Sequence, residues 1–445
     1  MNNNNKIIGF DITGIWMGSL EVSGTKLRIV FNVSSKPDTS LTASMDSPDQ
    51  GVRGIPVDKV TMEKEKITLQ IGSIEGLYEG TIKDSLTIEG QWMQGGKSDP
   101  IVLKREGKAI EIRRPQEPEK PYPYNEEEVV YDNRNAKVKL AGTLTTPGSS
   151  GPFPAVVLIS GSGPQNRDEE LLGHRPFLVL ADNLTRRGIA ILRVDDRGVG
   201  RSTGNFSLAT SEDFAGDVLA GVEYLKSRKD IDPKQIGLIG HSEGGMIAPM
   251  VATRSQDVAF IVMMAGPGLI GEELLYLQGE KIFSAEGLDN ESIVRNRDIQ
   301  SRMFAIVKQE PDKAVAEKEL IAILNETGVS EEIQKSQAKQ ILSPWYHYFL
   351  TYDPVPTLAK VRIPVLAIIG EKDLQVPPKE NLKGIEDALK AGGNEHYTVK
   401  ELPGLNHLFQ TAQTGSLAEY GTIEETMSPV AMNIIGDWIL QQTGK

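Results

Sequence analysis

The sequence predicts an α/β protein: an eight-stranded, mostly parallel sheet with a helical cap insertion, preceded by a small all-β, barrel-like domain. Three observations lead there. Short stretches of period-two hydrophobicity occupy residues 11 to 112, and a proline-rich segment then interrupts the chain. Beyond it, apolar runs of strand length alternate with helix-length segments, and one long stretch lacks any strand pattern.

The first module is read from segments such as Lys26-Leu-Arg-Ile-Val-Phe-Asn-Val33, Lys66-Ile-Thr-Leu-Gln-Ile71 and Ser85-Leu-Thr-Ile-Glu-Gly-Gln-Trp92. Alternation at regular spacing gives antiparallel strands with one buried face. Gly14-Ile-Trp16 and Gly90-Gln-Trp92 set a tryptophan after a glycine near each end. Such a module, assigned to residues 1–113, is expected to close on itself as a barrel or sandwich, loosely similar to a lipocalin-type barrel. Its role stays open between binding substrate, making homodimer contacts and shielding the site. Residues 114–124 carry prolines at 115, 118, 121 and 123 and read as a stiff extended linker.

The remaining domain, residues 125–445, is expected to place strands at 127–133, 138–145, 155–160, 189–194, 235–240, 259–264, 365–370 and 397–402. Between about 266 and 353 the sheet pattern stops. Residues 291–308 and 311–324 are amphipathic at helical spacing there, as a helical cap would be.

Composition narrows the function. A chain of 445 residues exceeds one ordinary core, and 39% apolar with 24% charged residues is the balance of a soluble globular protein. A net charge of -13 argues against nucleic acid or an anionic membrane as partner. Without cysteine there are no disulfides and no thiolate metal sites. No apolar run has the length of a membrane span, and the opening residues 1–10 lack a signal-peptide core and cleavage site. As written the chain is expected to be cytoplasmic; an exported protein already stripped of its signal peptide would look the same.

The chemistry starts at Gly240-His-Ser-Glu-Gly-Gly245, which follows the fifth strand and opens a helix-like segment. Glycines two residues before and after Ser242 permit a strained turn that lifts the hydroxyl above the sheet edge. A serine needs a base, and the base needs a carboxylate to orient it. The chain has five histidines, at 174, 241, 347, 396 and 407. His407 is chosen because it lies in a loop directly after the eighth strand; His396 begins that strand, His347 lies in the cap and His241 points away from its neighbour Ser242. Asp373, in the turn after the seventh strand, is the expected acid, with Glu371 its rival.

An acyl-transfer transition state also needs oxyanion donors. Glu243 supplies one backbone N–H, and Ser162 the second, with Gly161 as its alternative. Their loop, Ser160-Gly-Ser-Gly-Pro-Gln165, matches no nucleotide-binding glycine motif. Asp195-Asp-Arg-Gly-Val-Gly-Arg-Ser202 is read as a buried turn held by ion pairs and glycines. The aromatic stretch 343–354 either lines an acyl pocket or packs the cap on the sheet.

Taken together, these segments with Gly370-Glu-Lys-Asp373 and Asn406-His407 resemble the α/β-hydrolase superfamily over residues 125 to 445. More narrowly they are similar to its serine carboxylesterases with an extra N-terminal β domain, of the dienelactone-hydrolase-like or prolyl-oligopeptidase-like branch. The resemblance implies hydrolysis of a small-molecule ester through an acyl-enzyme, with no metal or organic cofactor. Lipases carry His-Gly-Gly-Gly where this chain has Ser-Gly-Ser-Gly-Pro, so lipase activity on long acyl chains is not expected; small or medium acyl groups are, because the cap insertion would enclose them. The alternatives are a prolyl-oligopeptidase-type peptidase and a non-catalytic binding protein on the same scaffold.

Overall fold

Period-two patterning in the first hundred residues becomes nine antiparallel strands. The computed structural model describes residues 11–22, 25–36, 40–50, 52–107 and 114–444, so the opening residues 1–10 lie outside the described residues. The chain divides into two compact units, Met1–Arg113 and Arg114–Lys445.

In the first unit the strands are β1 (Gly14–Val22), β2 (Thr25–Ser35), β3 (Leu41–Ser47), β4 (Val52–Val57), β5 (Lys59–Glu63), β6 (Lys66–Ile71), β7 (Gly76–Asp84), β8 (Thr87–Gln94) and β9 (Lys97–Glu106). Their order is β4-β3-β2-β1-β9-β8-β7-β6-β5. The two meanders join where β1 pairs antiparallel with β9. The outer strands β4 and β5 are consecutive in the chain, separated by Asp58 alone, so the sheet curls until its edges are neighbours. No ladder joins those two edges among the described residues, and closure is therefore near rather than complete. Pro56 lies in β4, where it removes a donor and suits an unpaired edge. Trp16, Phe31, Tyr78 and Trp92 are all buried inside. The interior is filled by side chains, as in small barrels.

The second unit carries the mixed sheet. Its strands are β10 (Asn125–Asn133), β11 (Val138–Thr146), β12 (Phe153–Ile159), β13 (Ala190–Val194), β14 (Ile231–His241), β15 (Phe260–Met264), β16 (Val365–Gly370) and β17 (Tyr397–Leu402), ordered β10-β11-β13-β12-β14-β15-β16-β17. Pairing is antiparallel from β10 through β11 to β13 and parallel beyond. The predicted strands appear in these places, with ends shifted by a few residues.

Central strands are apolar throughout because both faces are covered. On β12, Ala155, Val157 and Ile159 belong to the core under α2 (Ser211–Lys226) and α3 (Glu243–Ala252), which continues to α10 (Pro378–Ala391). Val156 and Leu158 face α1 (Pro176–Arg186) and α12 (Pro429–Thr443) on the other side. The short α11 (Leu417–Tyr420) lies in the connection from β17 to α12.

Between β15 and β16 stands the cap: α4 (Gly271–Ala285), α5 (Asn290–Gln309), α6 (Lys313–Leu324), α7 (Glu331–Ile341), α8 (Pro344–Thr351) and α9 (Val355–Leu358). Asp289, Asp312, Ser330 and Ser343 each accept an N–H from the first turn of the following helix, which fixes where α5 to α8 begin.

The proline-rich segment is fastened to the second unit. The Arg114 guanidinium donates to the carbonyls of Leu172 (3.1 Å), Gly173 (3.2 Å), Gly421 (2.9 Å) and Ile423 (2.9 Å). Gln116 accepts from the N–H groups of Thr426 and Met427 and donates to the Met427 carbonyl. Truncating Arg114 would leave partly buried carbonyls unpaired. Arg114→Ala is expected to lower unfolding free energy by roughly 2–4 kcal/mol in urea titration, whereas Glu119→Ala, at an exposed position, stays within about 0.5 kcal/mol of the parent.

Candidate active site

The turn between β14 and α3 is built from glycine contacts. A Cβ on Gly240 would lie 1.9 Å from the Gly244 carbonyl oxygen, and one on Gly244 would lie 2.1 Å from that of Ile159. Only bare backbones cross this closely. Ser242, between them, takes φ 53° and ψ -118°, a region that side chains rarely adopt. Its N–H donates to the Met264 carbonyl at 2.8 Å, and its own carbonyl accepts from Gly245 at 2.9 Å. The strain is thus held from both sides, and the hydroxyl is presented where the parallel strands end.

His407 and Asp373 meet there. His407 Nδ1 lies 2.7 Å from Asp373 Oδ2, and both residues are buried. Asp373 Oδ1 accepts from the N–H groups of Gln375 and Val376, each at 2.8 Å. With the carboxylate accepting on both oxygens, Nδ1 carries the proton and the Nε2 lone pair is left free. Glu371, the rival acid, accepts instead from the Gly404 N–H at 2.7 Å. His347 and His396 are exposed, and His396 sits by the amino end of β17, opposite the elbow.

Ser242 and His407 line one cavity of about 280 Å³, together with Ser162, Glu169, Trp345 and Phe349. A neighbouring cleft of about 880 Å³ shares Ser162 and Trp345 and runs toward α6 and α7. The aromatic stretch both lines the cavity and packs the cap, because Trp345 Nε1 donates to Glu243 Oε1 at 2.8 Å. The Ser211 hydroxyl donates to the same oxygen at 2.6 Å. Burial pushes the Glu243 carboxyl up, against the pull of hydrogen bonds from Ser211, Trp345 and Ser162. The sequence pointed to Glu243 for its backbone alone; its side chain ties the elbow helix to the cap.

Of the two candidates for the second oxyanion donor, Gly161 has its N–H engaged: it donates to Glu169 Oε1 at 2.7 Å, which leaves Ser162 as the candidate of this loop. The N–H of Glu243, in the first turn of α3, has no intrahelical partner. Space at Gly161 is tight: a Cβ there would lie 3.3 Å from both Ser242 Cβ and Glu169 Oε1.

The Asp195 to Ser202 turn is a clamp. Asp195 takes the N–H and guanidinium of Arg167, and Arg197 pairs with Asp217 at 2.7 Å. Asp196 Oδ1 accepts from the Ser160 hydroxyl at 3.0 Å, and Oδ2 from the Gln165 N–H at 2.9 Å. Burial pushes the Asp196 carboxyl up to about 7, offset in part by those two bonds and reinforced by Glu243 and Glu169. His174, also buried, holds the Tyr420 carbonyl at 2.8 Å and the Thr426 hydroxyl at 2.9 Å; burial and then Arg114 push it down to about 4.

The family profile described as "Alpha/beta hydrolase family" matches residues 156–419. Esterase EstD of Thermotoga maritima is 29% identical over 276 residues, which cover 60% of this chain and 58% of that protein. The chain thus matches little more than half of that relative's length. A 31.7 kDa protein of the traX-finO intergenic region of Escherichia coli is 26% identical over 270 residues, 58% of this chain and 85% of that one. Among solved structures, the esterase Pf2001 of Pyrococcus furiosus covers 72% of this chain and 93% of its own at 18% identity, with a TM-score of 0.44. GrgF of Penicillium sp. sh18 covers 72% of this chain and 100% of its own at 18% identity, with a TM-score of 0.45.

Two predictions come from this geometry. Alanine keeps the Cβ that opposes the Ser242 backbone and glycine does not, so Ser242→Gly should exceed Ser242→Ala in unfolding free energy by about 1 kcal/mol. Equal denaturant midpoints would mean that the turn stores no strain. For Asp196, a folded-state pKa above the unfolded value gives stability that is fully present below the unfolded pKa and lost as pH rises through about 7. Relative to Asp196→Asn, the parent should lose on the order of 2 kcal/mol between pH 5 and pH 8, read from paired urea titrations.

Proposed function

Because this chain belongs to the alpha/beta hydrolase family, we propose that it is a serine hydrolase cleaving carboxylic esters of small or medium acyl groups through an acyl-enzyme. The observation that carries this reading is the buried His407–Asp373 pair at 2.7 Å, with His407 lining the cavity that Ser242 enters. The esterase named among the relatives supports the reaction type.

The geometry supports a role for each residue. Ser242 Oγ attacks the ester carbonyl as His407 Nε2 takes its proton, and Asp373 holds the tautomer that leaves Nε2 free and stabilises the imidazolium. The N–H groups of Glu243 and Ser162 receive the oxyanion. Collapse breaks the bond to the alkoxy oxygen, which leaves with the proton from His407. Water then enters, gives a proton to His407 Nε2 as its oxygen bonds the acyl carbon, and collapse breaks the bond to Ser242 Oγ, which takes the proton back from His407 as the acid leaves. A chamber of about 280 Å³ suits a short acyl chain, and Trp345 and Phe349 give it an apolar wall.

A p-nitrophenyl ester series from acetyl to lauroyl tests this directly. Turnover is expected to peak at the short chains, Ser242 to take a fluorophosphonate label, and Ser242→Ala and His407→Ala to fall by at least about 10³-fold. Absence of both turnover and label would sink the reading. A preference for the longest chains would overturn the acyl assignment alone.

A further inference from the structure

His241 Nδ1 lies 2.9 Å from Glu169 Oε1, the oxygen that also accepts the Gly161 N–H. On its other side His241 Nε2 lies 2.9 Å from the backbone carbonyl of His407. A carbonyl only accepts, so Nε2 donates. Glu169 Oε1 therefore joins three pieces of the site: the loop of Ser162, the elbow residue preceding Ser242, and the main chain of the base.

We propose that Glu169 and His241 are positioning residues that fix the His407 loop and the oxyanion loop against Ser242; the inference rests on the serine-hydrolase reading above. His407 is then held twice, its ring by Asp373 and its backbone by His241. The two imidazole rings are 4.8 Å apart between centroids, so a shift of one is felt by the other.

Several features set this link apart from ordinary loop packing. Glu169 is buried and sits at φ 51°, a strained backbone for a glutamate. That strain is enforced by its neighbours: Arg167 is locked on Asp195, and Asp168 on the buried Arg193. His174 provides the contrast. It ties the 420–426 loop through a hydroxyl and a carbonyl, with no carboxylate on its ring. For His241, burial pushes the ring down, while Glu169, the His407 carbonyl and Asp373 together bring it above its ordinary value. A buried carboxylate is costly to desolvate, and it is placed here on the histidine that reaches the base.

The test compares Glu169→Gln, His241→Gln and the double variant with the parent, using the best p-nitrophenyl ester and fluorophosphonate titration of reactive sites. Each single variant is expected to lower kcat per titrated site by about 10- to 100-fold with KM within about threefold, as for other groups that orient a ligand or catalyst. The double variant should be little worse than either, because both cut the same link. Unchanged kcat per titrated site, with fewer titratable molecules, would show that the pair only maintains the fold and would overturn the proposal. A rise in KM at constant kcat would make Glu169 a substrate contact and overturn it equally. If Glu169→Gln fails to fold, His241→Gln decides through the same ratio. A parent that neither turns over esters nor takes the label would defeat the hydrolase reading itself, a result distinct from these.

Discussion

The close crossing of α3 beneath the end of β14 is the constraint from which the site follows. Gly240 and Gly244 meet backbone to backbone, and that contact drives Ser242 into a conformation that costs on the order of 1–3 kcal/mol. A free chain would relax. Here the Ser242 N–H is bonded to Met264 on β15, while Gly244 is walled in by Ile159 on β12 and Gly245 by Gly266 beyond β15. The packed parallel sheet supplies the stability that a strained turn consumes. It also brings the ends of β12, β16 and β17 to the same edge, where Ser162, Asp373 and His407 emerge.

Charge is used sparingly in that edge, and nearly always paired. The loop after β12 has no regular structure, yet Arg167, Asp168 and Glu169 each have a buried or partly buried partner. Such pairs add little net stability, because desolvation offsets attraction, but losing one partner is expensive. Their effect is to permit one loop conformation. Asp196 and Glu243 are exceptions, since their carboxyls meet hydrogen-bond donors and no cation, and burial drives each toward the neutral form.

Much of the sheet was legible because its chemistry is local. Strands buried on both faces read as unbroken apolar runs, and β16 and β17 coincide with their predicted limits. β14 begins earlier than expected, at Ile231, because Pro233 and the polar residues near it hide a stretch that pairs at the sheet margin with Phe153. The Ser242, Asp373 and His407 positions were legible for the same reason: each follows a recognisable strand. Gly161 could not be separated from Ser162 by sequence, since the distinction depends on which N–H meets Glu169. The link from Glu169 to His241 spans 72 residues, and that from His241 to His407 spans 166. A glutamate in a polar loop looks solvated until the fold closes over it.

The cap depends on the same elbow. It has small cores of its own, around Phe304 and Leu350 and around Leu320 and Leu324, so its helices are held partly by one another. At the cavity its connection is specific: Trp345 donates to Glu243, the first residue of α3. The residue whose N–H is proposed to receive the oxyanion therefore also anchors the aromatic wall of the chamber through its side chain. In a water-poor setting that hydrogen bond strengthens, because neither partner has an easy substitute. Chamber shape and the position of Ser242 are consequently coupled through one glutamate, and a displacement of α8 would reach the turn after β14 without passing through the sheet.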